Sequence, residues 1–422
     1  MRPYILLTVD SLRADAATKD FLPESLSILH KDYVNFSRAY SYGVATPFAF
    51  PGIVAATHPI GDGKIDDTVT TLAERLPGTA TAYPNNEHLS SERGYDRGVD
   101  RFRLNPAAGS SDGLRSIADQ VVGRLKQVDT LRNSDTVRRL YGHISRTVGS
   151  KSSLPVPYDT APEMVQHAKG SLKSSPRGLL WAHWMDPHTP YHPETAVGGP
   201  DSSLTPEELA DINDRVVAAD ASALSADELA LQQSLYEANV RYFDDHFSKL
   251  LRWLQDQPWY DDAVVAIVSD HGEYFGEHGQ LFHTWDIDPY DEAIKTPLWI
   301  KYPNQEDAGT TYDHPVGHGD LLATMAKIAD PDAKLPRHVA PLREASERHI
   351  VSVSNTSKRL TESGGTRIVR RDGTTVVDGR VSTAGEEFLD SIEFPECVNF
   401  SGDAQGVEEA ERRKRLQQLG YR

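Results

Sequence analysis

The run AVVAIVS at residues 263–269 carries no polar side chain before its last position. A strand of that composition is buried on both faces, the condition of a parallel sheet covered by helices. A second such run, YILLTV at 4–9, opens the chain. GTATAY (78–83), RGLLWAHWM (177–185) and TPLWIKY (296–302) read as further strands. Helical patterns alternate with them. TLAERL (71–76), 114–148 and APEMVQHAKGSL (161–172) read as helices, the last with a tolerated early proline. In 229–256, Val240, Phe243, Phe247, Leu250, Leu251 and Leu254 recur at helical spacing. The alternation predicts an α/β fold: a mostly parallel central sheet with helices on both faces. Beyond about residue 335 the segments shorten, and RIVRRDGTTVVDGR carries an Asp-Gly hairpin signal. A small antiparallel C-terminal subdomain is therefore expected over 336–422, packed on a catalytic domain over 1–335.

Composition narrows the classes. A chain of 422 residues, 38% of them hydrophobic, can fill a large core. A net charge of −18 without a basic stripe argues against nucleic-acid binding. One cysteine, Cys397, excludes an intrachain disulfide and a CxxC site. The apolar N-terminal run meets Asp10 too soon to be a signal segment, and no stretch approaches the ~20 apolar residues of a membrane span. A cytoplasmic protein with no membrane anchor is expected; the sequence says nothing of its oligomeric state.

Sites in open α/β sheets are built at the carboxyl ends of strands. Three such ends carry chemistry here: Asp10 after the first strand, Asp186 and His188 in WMDPHTPY, and Asp270 and His271 in SDHGEYFGEHG, followed by His278 and His283. Carboxylates and imidazoles suit a divalent cation, and Gly272 permits a sharp turn beside the Asp270–His271 pair. Asp186 reads as either a site residue or a turn stabiliser before Pro187. Arg13 and Asp15 read as a local ion pair at the following helix, and His30, His58, His143 and His318 as structural. GSSDG at 109–113 matches a nucleophile-elbow pattern, but RFRLNPAA before it is no buried strand, so Ser110, Ser111 or Asp112 reads as a helix cap.

In this order the chain carries DSLRAD (10–15), SYGVATPFAFPG (41–52), MDPHTPY (185–191), SDHGEYFGEHG (269–279) with a following histidine, DEAIKTPLWI (291–300) and a terminal LQQLGY. The set resembles the sulfatase-like branch of the alkaline phosphatase superfamily over residues 1–302 and again at the C-terminal tail. The resemblance implies that Asp10, Asp270 and His271 bind a divalent metal ion, with Thr46 against it at the nucleophile position. It implies that His188 faces the transferred group and that His283 lies near the leaving group. The ion is Ca²⁺, Mg²⁺, Mn²⁺ or Zn²⁺. Ser11 stands where many members have a second aspartate, which favours one ion over two.

One departure is sharp. Family sulfatases carry Cys or Ser in C/S-x-P-x-R and convert it to formylglycine, whereas this chain has T-P-F-A-F, with Phe50 in the arginine's place. A threonine cannot become that aldehyde. A metal-dependent hydrolase of phosphate mono- or diesters is therefore expected, acting on a small anionic ester, with the helix after Thr46 adding oriented N–H donors. The alternatives are sulfate-ester hydrolysis without formylglycine and a degenerate member acting as a binding protein.

Overall fold

The computed structural model describes residues 2–104, 158–191 and 224–395, save 60, 62, 190 and 345–347, together with isolated positions between 205 and 216. The helix expected at 114–148, the GSSDG pattern, His143, most of the 197–228 segment, Cys397 and the LQQLGY tail lie outside the described residues.

Five strands run parallel in the heart of an eight-stranded sheet: β1 (Pro3–Val9), β4 (Thr79–Tyr83), β5 (Arg101–Phe102), β6 (Gly178–Trp184) and β7 (Val264–Ser269). Adding β2 (Val34–Phe36), β9 (Leu298–Lys301) and β10 (Thr311–Tyr312), the order is β10-β2-β9-β7-β1-β6-β4-β5. TPLWIKY contains β9, which pairs antiparallel with both β7 and β2. The reason is the connection: 270–297 holds no helix longer than Asp291–Ile294, so the chain re-enters the sheet from the end it left. A small side sheet joins β3 (Ala39–Tyr40), β8 (Lys295–Thr296) and β11 (Val316–Gly317).

The alternation along β1 splits the core into two layers. Tyr4 and Leu6 face one cluster with Phe50, Ile53 and Leu321 of α2 (Thr46–Ala55) and α5 (His318–Ala329). Ile5, Leu7 and Val9 face the other, filled by α1 (Pro23–Asp32), α3 (Ala161–Ser174) and α4 (Ala226–Gln255). The 30-residue α4 starts at a Ser225–Glu228 capping box and buries Val240, Phe243, Phe247, Leu250, Leu251 and Leu254 along one stripe. At the C-terminal end, β12 (Ile350–Val353), β13 (Ser357–Thr361), β14 (Gly365–Arg370) and β15 (Thr375–Gly379) form an antiparallel meander, backed by α6 (Thr383–Ser391). The Asp372-Gly373 turn joins β14 to β15, as the hairpin signal predicts.

Candidate active site

Register brings the strand-end residues together. β1 lies between β6 and β7, with Val9 opposite both Trp184 and Ser269. The next residues of β1 and β7 are Asp10 and Asp270, so two carboxylates leave the sheet side by side, both fully buried. Thr46 begins α2, and the turn that delivers it requires Gly43, where a Cβ would stand 2.1 Å from Phe48 Cβ. Gly272 is required by a close approach, since a Cβ there would meet the Glu292 carbonyl oxygen at 1.9 Å.

Thr46 Oγ1 donates to Asp10 Oδ2 at 3.3 Å and lies 3.3 Å from His271 Nε2. That nitrogen is 3.6 Å from Asp10 Oδ1 and 3.5 Å from Asp270 Oδ2. His271 Nδ1 bonds the Gly272 carbonyl at 2.8 Å, which can only accept, so Nδ1 carries the proton and Nε2 presents a lone pair. On the loops above, the His283 ring lies 4.4 Å from that of His271 and 4.8 Å from that of His188, centre to centre. The structure thus gathers Asp10, Thr46, His188, Asp270, His271 and His283.

The electrostatics are those of charge packed without water. Burial favours the neutral form of Asp10, yet His188, His183 and His271 around it hold its carboxyl well below the usual range. Burial and the neighbouring Asp10 charge push Asp270 well above it. Burial also raises Glu273, to about 8. His283 is held well below its ordinary value by burial, with His271 and His188 adding to the effect.

The donor set fits a divalent cation. Asp270 Oδ2 is buried with no hydrogen-bond partner, an orphan costly to keep unless a cation satisfies it. Asp10, His183 and Asp270 offer ligand atoms that all lie within 4.8 Å of one another. His271 Nε2 and Thr46 Oγ1 adjoin the same oxygens.

Three participants escape the sequence, and a fourth, Ser11, gains its role from the structure. His183, inside an apolar strand, places Nε2 3.2 Å from Asp10 Oδ2 and Nδ1 2.9 Å from Thr8 Oγ1. A histidine in an otherwise apolar run was the available signal. Asn86 Nδ2, just after β4, donates to Asp10 Oδ2 at 3.0 Å and stands 3.5 Å from Thr46 Oγ1. Glu273 Oε2 bonds His283 Nδ1 at 2.9 Å. Ser11, at φ +56°, supplies no carboxylate; its Oγ donates to Asp10 Oδ1 at 2.9 Å and its N–H to Asp270 Oδ1 at 3.2 Å. No sequence pattern announces the last three contacts.

One expectation is corrected, and the other candidates find their places. The start of α2 is no comb of free N–H donors, because Pro47 has none and the Phe48 and Ala49 amides both bond the Ala45 carbonyl, at 2.8 and 2.9 Å. Phe50 turns inward, its ring edge-on to His183 at 5.0 Å. Asp186 accepts from the Ala161 amide at 2.9 Å and so holds the start of α3; burial raises it to about 7. His278 stacks on Tyr290 at 3.9 Å and bonds Glu292, outside the cluster. Arg13 does pair with Asp15, at 2.7 Å, but in a turn well before α1, and it also reaches Glu277.

The sulfatase family model matches residues 4–331. An N-acetylglucosamine-6-O-sulfatase of Bacteroides thetaiotaomicron is 33% identical over 76 residues, 18% of this chain and 13% of that protein. The chain therefore aligns with a small part of that relative's length. The phosphonate monoester hydrolase of Agrobacterium radiobacter has the same fold at a TM-score of 0.60 and 14% identity, over 99% of this chain and 96% of that one. A 2-O GAG sulfatase does so at 0.61 and 13%, over 99% and 93%. Among the described residues no helix is long and apolar enough to cross a membrane. The fold, the strand-end carboxylates and the family match agree: the chain belongs to the sulfatase family.

Proposed function

We propose that the protein hydrolyses phosphate or phosphonate esters, with Thr46 as nucleophile. The observation that carries this is the Thr46 hydroxyl, set 3.3 Å from both Asp10 Oδ2 and His271 Nε2 at a position where no aldehyde can form. A divalent ion held by Asp10, Asp270, His271 and Thr46, with His183 alongside, would lower the hydroxyl's pKa and neutralise charge on the ester oxygens. Asp10 accepts the Thr46 hydrogen bond at Oδ2, fixes the direction of its lone pairs and takes up the hydroxyl proton as the oxygen attacks. Attack by Thr46 Oγ on phosphorus forms one O–P bond as the ester O–P bond breaks. Burial keeps the Glu273 carboxyl protonated, so it donates to His283 Nδ1, and the neutral ring carries its own proton on Nε2, from which it would pass to the departing alkoxide. Asn86 and His188 provide side-chain N–H donors for the non-bridging oxygens, in place of the amides that the start of α2 does not offer. Water then cleaves phospho-Thr46 and releases the acid. The small anionic ester is the partner this site calls for.

The test is a parallel assay of p-nitrophenyl phosphate, bis-p-nitrophenyl phosphate, p-nitrophenyl phenylphosphonate and p-nitrophenyl sulfate with added divalent metals. A phosphorus ester is expected to be turned over fastest, and Thr46→Ala to abolish that turnover. Preferred turnover of the sulfate, as the sulfatase relatives would suggest, overturns the choice of phosphorus. A chain that binds no metal would instead be a degenerate binding protein.

A further inference from the structure

The loop that carries His283 is bound to the C-terminal sheet along its length. Two and three residues beyond His283, the carbonyls of Trp285 and Asp286 accept from the Asn355 amide at 2.7 Å and from Thr356 Oγ1 at 2.8 Å, both in the β12–β13 turn. Arg370, at the end of β14, forms a two-nitrogen contact with Asp288 Oδ2, at 2.9 Å from Nε and 2.6 Å from Nη2. Arg359 of β13 donates to the Pro289 carbonyl at 3.0 Å and pairs with Asp291. Arg359 is buried and its bond to the Pro289 carbonyl forms away from bulk water, whereas its carboxylate partner Asp291 is half-exposed. From the catalytic side the same segment is held by Tyr274 Oη, which donates to the Asp288 carbonyl at 2.7 Å and accepts from the Tyr290 amide at 2.9 Å, by Gln280 Oε1, which accepts from the Asp288 amide at 2.7 Å, and by the Trp285 ring against Phe48.

We propose that the β12–β14 sheet is a latch that positions His283 over Thr46, with Thr356, Arg359 and Arg370 as positioning residues that touch no reacting atom. The proposal rests on the reading of His283 as the proton donor to the leaving group. A shift of 1 Å in a reacting group costs as much as about a hundredfold in rate, so loss of the latch falls on the chemical step.

The test uses the full chain with its metal bound, in four forms: Arg370→Asp, Asp288→Arg, the two together, and Thr356→Val as the milder change if a charge variant does not fold. Amide hydrogen exchange is read at 283–291 against 8–12 and 268–272. Kinetics are read with p-nitrophenyl and phenyl esters of the best acid. The expected result is several-fold faster exchange at 283–291 alone. With it goes a fall in kcat of about tenfold, larger for the poor phenolic leaving group, with KM and metal affinity unchanged. The charge-swapped pair restores both. Unchanged exchange at 283–291 in every foldable variant overturns the latch, as does faster exchange with an unaltered leaving-group dependence. If the wild type hydrolyses no ester, the reaction proposed for the site fails while the exchange and the charge-swap rescue still decide the latch.

Discussion

Asp10, Asp270 and His271 stand at the ends of adjacent central strands, whereas His188 and His283 stand on loops that need partners elsewhere to stay in place. The first set is placed by sheet register and tied at the strand ends, Ser11 to both aspartates and His271 to its own neighbour's carbonyl, with Thr46 and Asn86 adding bonds to Asp10. Of the second set, His283 is tied to Glu273, the segment after it is tied to the C-terminal sheet, and His188 packs against the His283 and Phe282 rings. The floor can thus keep its binding chemistry while the wall is remodelled. On the function proposed above, cation affinity and leaving-group chemistry should be separable.

That separation can be broken from the floor first. Asp270→Ala should remove metal binding, measured by elemental analysis after desalting, and reduce hydrolysis by about a thousandfold or more. Retained metal with retained activity would place the cation elsewhere. Thr46→Ala should lose about as much activity yet still bind the ion, while Thr46→Ser, which keeps the hydroxyl, should stay within about tenfold of wild type. Equal loss in both variants would mean that the methyl group, not the hydroxyl, matters. His183→Ala is a smaller blow: metal affinity should fall about ten- to a hundredfold in a chelator competition, with kcat at saturating metal much less affected.

The smallest expected effect is in pH dependence. His58 and His318 are both pushed down to about 3, first by burial and then by a neighbouring histidine, His338 for the one and His271 for the other. The folded chain therefore binds fewer protons than the unfolded one between about pH 3 and 6.5. Their contribution to stability is complete above 6.5 and is lost as the pH falls through that window. His58 stacks on Tyr42 at 4.5 Å and bonds the Val351 carbonyl of β12 at 3.0 Å, so it sits where the two sheets meet. Urea midpoints of His58→Gln should decline less steeply than wild type between pH 6.5 and 4; identical slopes would refute the assignment.

The floor and the fold were legible because both are written locally. Apolar runs such as 263–269 declare strands, and a strand's last residue declares what it presents. β9 was legible as a strand but not in its direction, which depends on what fills 270–297. Asn86 and Glu273 were not legible, because each acts through a contact with a residue at least ten positions away that only the closed fold supplies. His183 lay between: its type was visible, but its aim at Asp10 depends on the parallel register that sets it beside Thr8. The Phe48 and Ala49 amides were misjudged for a local reason, since Ala45 already takes both.

Ser11 has a consequence for the sign of the site. Two ionised carboxylates against a dication sum to zero, whereas a third carboxylate at this position would leave a net negative floor. A sulfate ester brings one negative charge and a phosphate monoester brings up to two, so repulsion from a negative floor would weigh about twice as heavily on the phosphate. By giving hydrogen bonds to Asp10 and Asp270 instead of adding a charge, Ser11 would leave the proposed cation site neutral and so favour the more highly charged ester.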